Sequence, residues 1–457
     1  MVRNAATLLL RRSAARRTQA RSERLYSSTP IEIPPESSAA PPKKKYAPIE
    51  NPYPRPPPPP KRGPPHHNPS HEFPSYQSPD YFSYEILHTS RKSRARVGRI
   101  HTPHGVIDTP GFVAVGTNAT IKALDVTTAD ETGLQLMFCN TYHLLLHPGP
   151  DTIQRAGGLH SFMNRNRPII TDSGGFQVFS LAYGSVEDEL NMKARRKYKD
   201  QGSQVMKISE EGVKFRSYRD GRIVELTPES SVAAQKSFGA DIIIPLDELP
   251  PYHIEPETLR ASVHRTHRWE TRSLLAHRQD PRKQAMYAVV HGGVDYKLRQ
   301  ESIDYLSSLP FDGYAIGGAL GKDRTELVDL LKFVMPRIPA DKPNHLLGIA
   351  DDISVELCIP LGVDTFDSAY PTRAARHGTL FTRNGRVQID KGRYAQDLSP
   401  IDPKCSCRTC RLHTASYLYH LFKANEPTGH ILATIHNLQF MMDYMSMARM
   451  KIMDDQI

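Results

Sequence analysis

No run of eighteen apolar residues occurs anywhere in the 457-residue chain, so the sequence offers no membrane-spanning helix. Cysteine is scarce. There are five, Cys139, Cys358, Cys405, Cys407 and Cys410. Three of them fall within six residues, and the count is odd. That pattern excludes a secreted disulfide framework and points to a reducing compartment and a metal site. A GxGxxG fingerprint is missing after the first strand-like run, which argues against a dinucleotide-binding sheet. No internal repeat is present. Balanced charge is lacking too, since the chain carries a formal net +10. Yet residues 1–80 hold 13 Lys/Arg against 6 Asp/Glu, so most of the excess lies there. Bulk charge therefore does not by itself assign nucleic-acid binding to the rest.

Residues 1–26 contain seven arginines and one acid, Glu23. This is the composition of a mitochondrial transit peptide, and Arg24-Leu25-Tyr26-Ser27-Ser28 resembles a processing site with the cut after Tyr26. The expected location is mitochondrial, with a plain basic tail on a cytoplasmic protein as the alternative. Residues 27–80 are dominated by proline, including Pro56–Pro60, and read as a disordered linker that buries nothing. Residues 81–457 read as the folded unit.

Eight short apolar runs follow: Phe112–Gly116, Leu136–Asn140, Pro168–Asp172, Ile242–Asp247, Met286–His291, Gly313–Gly317, His345–Ile349 and Val363–Asp367. Amphipathic stretches separate several of them, among them Pro228–Phe238, Glu257–Ala276, Tyr296–Leu309 and Arg324–Val334. Short buried strands alternating with helices predict parallel βαβ units, and eight of them predict an α/β fold of the (β/α)₈ TIM-barrel type. An open doubly wound sheet is the alternative. Several runs end in polar residues, namely Asn140, Asp172, Asp247, His291 and Asp367. A barrel brings such strand ends to one face, where active sites sit.

The C-terminal part holds Cys405-Ser406-Cys407-Arg408-Thr409-Cys410, with His436 downstream. Three thiolates and one imidazole complete a tetrahedral zinc site with no open position, which would make it structural, one ion per chain, in a zinc-binding subdomain over about 403–440. On spacing alone, His413, His420 and His430 compete with His436 as the fourth ligand. Two strand-end carboxylates stand out as well. Asp172 lies in Thr171-Asp172-Ser173-Gly174-Gly175-Phe176-Gln177, and Asp367 in Phe366-Asp367-Ser368-Ala369-Tyr370-Pro371-Thr372-Arg373. Glycosidic chemistry with retained configuration needs two carboxyl groups, one to attack and one to move protons. A strand-end aspartate can equally be a helix cap.

With these motifs in order, residues 82–457 resemble the tRNA-guanine transglycosylase (queuine tRNA-ribosyltransferase) family, catalytic type. The matching segments also include Asn140-Thr141-Tyr142-His143-Leu144, Leu246-Asp247-Glu248, Tyr314-Ala315-Ile316-Gly317-Gly318 and Pro371–Arg376. The resemblance implies exchange of guanine at the anticodon wobble position of tRNA for free queuine or a related 7-deazaguanine. It implies Asp367 as nucleophile through a covalent aspartyl-ribosyl intermediate, and Asp172 as general acid/base. Ser173, Gly174, Gly175, Phe176, Asp247, His291 and Gly318 would line the base pocket, with Asn140 nearby. Thr372, Arg373, Ala374, Ala375 and Arg376 would grip the tRNA. Cys405, Cys407, Cys410 and His436 would hold zinc. A homodimer, or a heterodimer with a homologous subunit, is also implied.

The sequence departs from the usual family pattern in four places. His291 replaces a Gln before the glycine pair, and Ala319-Leu320-Gly321-Lys322 follows Gly318. The Gly348–Asp352 loop is about two residues shorter than usual, and residues 184–206 read as a Lys/Arg-rich insertion. A base with a bulky amine substituent would need room near Ala319. The mitochondrial reading of the N-terminus favours queuine over 7-aminomethyl-7-deazaguanine. The sequence ending at Ile457 speaks against an archaeosine-type enzyme with a further RNA-binding domain. The competing readings are a non-catalytic zinc-containing partner subunit, at odds with both aspartates being intact, and a metal-dependent hydrolase, for which strand-end histidines are too few.

Overall fold

A computed structural model of the chain describes residues 69–183 and 205–457. The expected transit segment 1–26, the linker up to residue 68 and nearly all of the 184–206 insertion lie outside the described residues. The end of the expected linker differs from its reading. Pro69 is buried, Phe73 packs against the main core, and the Lys342 ammonium lies 3.5 Å from the Tyr76 ring centroid. Aromatic residues interleaved with the prolines give this stretch apolar surface to bury.

An antiparallel sheet of β1 (Ser83–Thr89), β2 (Arg96–Thr102) and β3 (Gly105–Thr109) comes first. The barrel begins at β4 (Gly111–Val115). It continues through α1 (Val126–Glu131), β5 (Leu136–Cys139), α2 (Thr141–Leu146), α3 (Pro150–Arg155), α4 (Gly158–Met163), β6 (Ile169–Thr171) and α5 (Gly175–Tyr183). A second small antiparallel sheet, β7 (Val205–Ile208), β8 (Val213–Arg216) and β9 (Ile223–Leu226), precedes α6 (Pro228–Phe238) and β10 (Ile242–Ile243). The remaining units are α7 (Pro256–Gln279), β11 (Ala285–Val290), α8 (Tyr296–Ser307), β12 (Gly313–Ile316), α9 (Arg324–Val334), β13 (Asn344–Leu346), α10 (Asp352–Cys358), β14 (Thr365–Ser368) and α11 (Tyr370–Arg376). Strands β4, β5, β6, β10, β11, β12, β13 and β14 pair in parallel in that order, and β14 closes on β4. This is the expected (β/α)₈ barrel, closed rather than open.

The strands are apolar on both faces because both are covered. In β11, Ala285, Tyr287 and Val289 join a cluster with Val113, Phe138, Ile170 and Ala315 that fills the lumen. Their neighbours Met286, Ala288 and Val290 join the larger cluster under the helices. This two-residue alternation is what a filled barrel requires. Phe82, just before β1, and Ile100 and Ile107 of the first sheet belong to the lumen cluster, so that sheet floors the barrel at the amino ends of its strands. Arg96 clamps Asp364 there with two hydrogen bonds of 2.9 and 2.7 Å.

The run expected over Ile242–Asp247 pairs only through Ile242 and Ile243. Beyond them, helix side chains replace the ladder. Ile244 N donates to Gln235 Oε1, Leu246 N to Ser273 Oγ, and Val289 N of β11 to Glu270 Oε2. The freed segment carries Asp247 toward the mouth. After α11 come a hairpin, β15 (Thr379–Thr382) and β16 (Gly385–Gln388), and three helices, α12 (Arg408–Leu412), α13 (Ala415–Lys423) and α14 (Pro427–Met453). Helix α14 packs on α11 and β15. No helix among the described residues is long and apolar enough to cross a membrane.

Candidate active site and metal centre

Asp172, Asp247 and Asp367 all lie at or just beyond the carboxyl ends of barrel segments. Asp172 is 8% exposed and Asp367 6%, and such burial is affordable for a carboxyl group only when donors surround it. Around Asp172, Oδ1 accepts from Thr141 N at 2.7 Å, and Oδ2 accepts from Asn140 Nδ2 at 2.8 Å and Gln177 Nε2 at 2.9 Å. Burial raises its pKa to about 6, and these three donors offset part of that rise.

Asp367 is held on one side only. His345 Nε2 lies 3.0 Å from Oδ1, and Gly348 N donates to the same oxygen at 2.8 Å. Among the described residues no partner is bonded to Oδ2. His345 is itself fixed by Thr365 Oγ1 at 2.9 Å from its Nδ1. Its ring stacks on Phe138 of β5, centroids 6.1 Å apart. The lumen filler thus braces the residue that braces Asp367.

Asp247 sits between two groups. Ser173 Oγ donates to Oδ1 at 3.1 Å, and His291 Nε2 lies 2.9 Å from Oδ2. The glycines around it are required by contact. A Cβ on Gly175 would meet Asp247 O at 2.7 Å, and one on Gly318, where φ is +78°, would meet His291 Nδ1 at 2.9 Å. Gly174, at φ +86°, turns the chain out of β6. Phe176 is exposed at the start of α5. Beside this cluster lies a small cleft lined by Glu248, Tyr252, His291, Gly293, Gly318 and Ala319.

The sequence reading missed the side chain that sets these loops. Arg299 of α8 is fully buried and donates to the carbonyls of Gly293 (2.8 Å), Val290 (2.6 Å), Gly317 (2.9 Å) and Ala319 (3.1 Å). Burial lowers its pKa to about 9. His345, Gly348 and Gln177 were missed too. The roles of His345 and Gly348 arise from the register of β13 on β14, whereas Gln177 reaches back to Asp172 from the first turn of α5.

Within the segment expected to grip tRNA, burial divides the residues. Thr372, Ala374 and Ala375 are buried, so their side chains face protein. Arg373 is exposed and Arg376 half-buried, with Arg376 Nη1 donating to Thr372 O at 2.9 Å. Small residues on one face let α11 lie flat against α14, which leaves the two arginines outward.

Cys405, Cys407, Cys410 and His436 converge, with their ligand atoms all within 4.8 Å of one another. His436 Nδ1 is 3.6 Å from Cys407 Sγ and 3.3 Å from Cys410 Sγ. A tetrahedron with Zn–S near 2.3 Å and Zn–N near 2.1 Å has edges of about 3.6 Å, so the donor set fits such an ion. His436 Nε2 lies 2.7 Å from Phe381 O. A donated hydrogen bond there leaves Nδ1 as the lone-pair atom aimed into the cluster. Of the four candidate histidines His436 alone joins the cluster; His413 stacks on Tyr417 and His430 lies against Phe422. Next to His436, Asn437 accepts from Phe381 N and donates to Pro371 O and Thr379 O, each at 3.0 Å. The cluster therefore pins α14 to β15 and to the start of α11. Among the described residues, neither group of three or more convergent metal-ligand side chains includes Asp172, Asp247 or Asp367, so the hydrolase reading has no ligand set at the mouth.

The family profile described as Queuine tRNA-ribosyltransferase matches residues 90–457. A protein called queuine tRNA-ribosyltransferase from Protochlamydia amoebophila is 60% identical over 376 residues, covering 82% of this chain and 96% of the relative. Counterparts from Chlamydia felis and Chlamydia abortus are each 51% identical over 375 residues, covering 82% of this chain and 99% of theirs. These relatives are bacterial, which overturns the mitochondrial expectation, and with it the eukaryotic argument for queuine. An arginine-rich, acid-poor leader is a matter of composition, and a basic tail shares it. By the extent and identity of these matches, the chain belongs to the queuine tRNA-ribosyltransferase family and is a tRNA-guanine transglycosylase enzyme.

Proposed function

We propose that the chain exchanges guanine at the anticodon wobble position of tRNA for a free 7-substituted 7-deazaguanine, by a double displacement at the ribose. One observation carries the reading. Three aspartates sit at one barrel mouth, Asp172 and Asp367 buried and Asp247 half-buried, and one of them, Asp367, is clamped at Oδ1 and open at Oδ2. Oδ2 attacks C1′, the C1′–N9 bond breaks, and guanine leaves with a proton from Asp172. Asp172 then takes the N9 proton of the incoming base, whose nitrogen attacks C1′ and releases Asp367. Two inversions give retained configuration.

Asp247 has acceptor lone pairs for the N1–H and amino group of a guanine-like base. Ser173 and His291 hold it in place, and exposed Phe176 offers a face for stacking. The base must be unpaired to be read this way, which suits an anticodon loop. Arg373 and Arg376 meet backbone phosphates. The cleft beside Ala319 gives space for a substituent at the 7-position, and the relatives' names favour queuine. Zinc, held by Cys405, Cys407, Cys410 and His436, would supply a structural cross-link and no reaction step. Intact Asp172 and Asp367 disfavour the non-catalytic subunit reading. The test uses tRNA carrying labelled wobble guanine, with queuine and 7-aminomethyl-7-deazaguanine offered separately. Label release driven by queuine is expected. Release with neither base rejects the reading, and release with the precursor alone rejects queuine.

A further inference from the structure

The two oxygens of Asp367 meet different surroundings. Oδ1 faces two donors, His345 Nε2 at 3.0 Å and Gly348 N at 2.8 Å. Both come from one short segment, β13 and the turn after it. His345 is fully buried. A carboxylate oxygen only accepts, so the ring carries a hydrogen on Nε2. We propose, resting on the double displacement described above, that His345 and Gly348 N form a donor pair for the departing carboxylate. In this role His345 governs how fast the ribosyl-enzyme intermediate breaks down.

The argument follows the charge. In the free enzyme both carboxylate oxygens share it. When Oδ2 bonds to C1′, Oδ1 becomes the carbonyl oxygen of an ester and loses most of its charge. When the incoming base attacks C1′, the Oδ2–C1′ bond breaks and its electron pair returns to the carboxyl group, while the N9 proton passes to Asp172. Charge builds again on Oδ1 as that bond stretches. Donors already aimed at Oδ1 therefore stabilise release of the carboxylate more than they stabilise the ester. They keep the intermediate scarce and prevent it from becoming a trap. The same donors weaken as Oδ2 attacks, so they do not speed the first displacement.

Three features hold the donor in place. Thr365 Oγ1 lies 2.9 Å from His345 Nδ1 and engages the other ring nitrogen. The ring stacks on Phe138 with planes 24° apart. Strand register supplies the third. His345 of β13 pairs with Thr365 of β14, and Thr365 and Asp367, two residues apart, share one face of that strand. The ring therefore spans from its neighbour's hydroxyl to its neighbour's carboxylate. Thr365 is a positioning residue that acts through the ring.

The experiment follows the adduct itself. Full-length protein reacts in a single turnover with an end-labelled tRNA anticodon stem-loop, and acid-quenched samples are resolved on a denaturing gel. Free guanine is then added as the chase base. His345→Phe keeps a ring against Phe138 and loses the donor, and the Thr365 hydroxyl retains Asn344 O, 3.0 Å away, as a partner. In this variant the adduct should form at the parental rate or faster. Its decay under the chase should be about ten- to a hundredfold slower, as expected for one lost hydrogen bond to a charged group. His345→Gln, with an amide N–H for Oδ1, should recover most of the decay rate. Thr365→Val should slow decay less, in the same direction, and keeps the test valid if His345→Phe fails to fold. Parental decay in both His345→Phe and Thr365→Val overturns the inference and leaves the double displacement standing. Equal slowing of formation and decay, with no recovery in His345→Gln, also overturns it in favour of a purely structural histidine. No adduct in either the parent protein or His345→Phe overturns the double displacement, and the inference with it.

Discussion

The two ends of the barrel use aspartate in opposite ways. At the floor, Asp364 is saturated: Arg96 takes both oxygens, Tyr84 Oη donates at 2.9 Å and Asn344 N at 2.8 Å. At the mouth, Asp367 is bonded through one oxygen, and Asp172 is held by neutral donors that leave its pKa near 6. A saturated carboxylate contributes stability and cannot react. A carboxylate held on one side stays poised for reaction. The difference lies in the partners, since the residue type is the same at both ends.

The largest expected effect comes from the open oxygen. Asp367→Asn keeps an acceptor for His345 and Gly348 and puts an amide where the attacking oxygen was. Exchange should drop by about 10⁴-fold or more with the melting temperature nearly unchanged; a variant retaining a tenth of parental turnover removes the nucleophile assignment. At the floor the pattern should reverse. Arg96→Ala strands a buried carboxylate at a cost of about 3–5 kcal/mol. Denaturant melts should show that loss, while kcat of the folded fraction stays at the parental value. A parallel loss of kcat would mean the two ends are coupled.

Cys407→Ser should remove metal and destabilise together, because structural zinc binding is folding energy. We expect metal content to fall and the melting temperature to drop by about 10 °C, on the order of 3–5 kcal/mol for a domain of this size. A metal-free variant of parental stability contradicts the structural role. Asp172 should show in the pH profile. Its folded pKa is raised to about 6, so its protonated, acid form is lost as pH rises through that value. Single-turnover guanine release should therefore fall up to about tenfold per unit above pH 6. A profile flat from pH 5 to 8 would remove Asp172 as the acid. The smallest effect belongs to Arg373→Ala: a several-fold higher KM for tRNA, a shallower salt dependence and unchanged kcat.

What the sequence revealed follows from where the information sits. The three thiols of the metal-ligand cluster were legible because they share one hexapeptide, while spacing alone left the fourth ligand open among four histidines. The barrel was legible because eight short buried runs recur along the chain with amphipathic stretches between several of them. The aspartates at the mouth stood out as acids ending apolar runs. Their supports did not. Arg299 sits in an amphipathic helix where a cation reads as solvated surface, yet it ties four carbonyls around His291 and Gly318. His345 meets Asp367 only because β13 and β14 pair His345 with Thr365. That Thr372, Ala374 and Ala375 are buried while Arg373 is exposed depends on the packing of α11, which no local pattern shows. The early departure of β10 from the ladder depends on side chains of α6 and α7 that no local pattern reveals.

The most direct measurement is mass spectrometry of the protein quenched in acid during turnover with a minimal anticodon stem-loop, and digested. A ribose-linked RNA adduct on the peptide containing Asp367, absent from Asp367→Asn, is the expected result. An adduct mapped to Asp172 or Asp247, or one that persists in Asp367→Asn, would contradict the account.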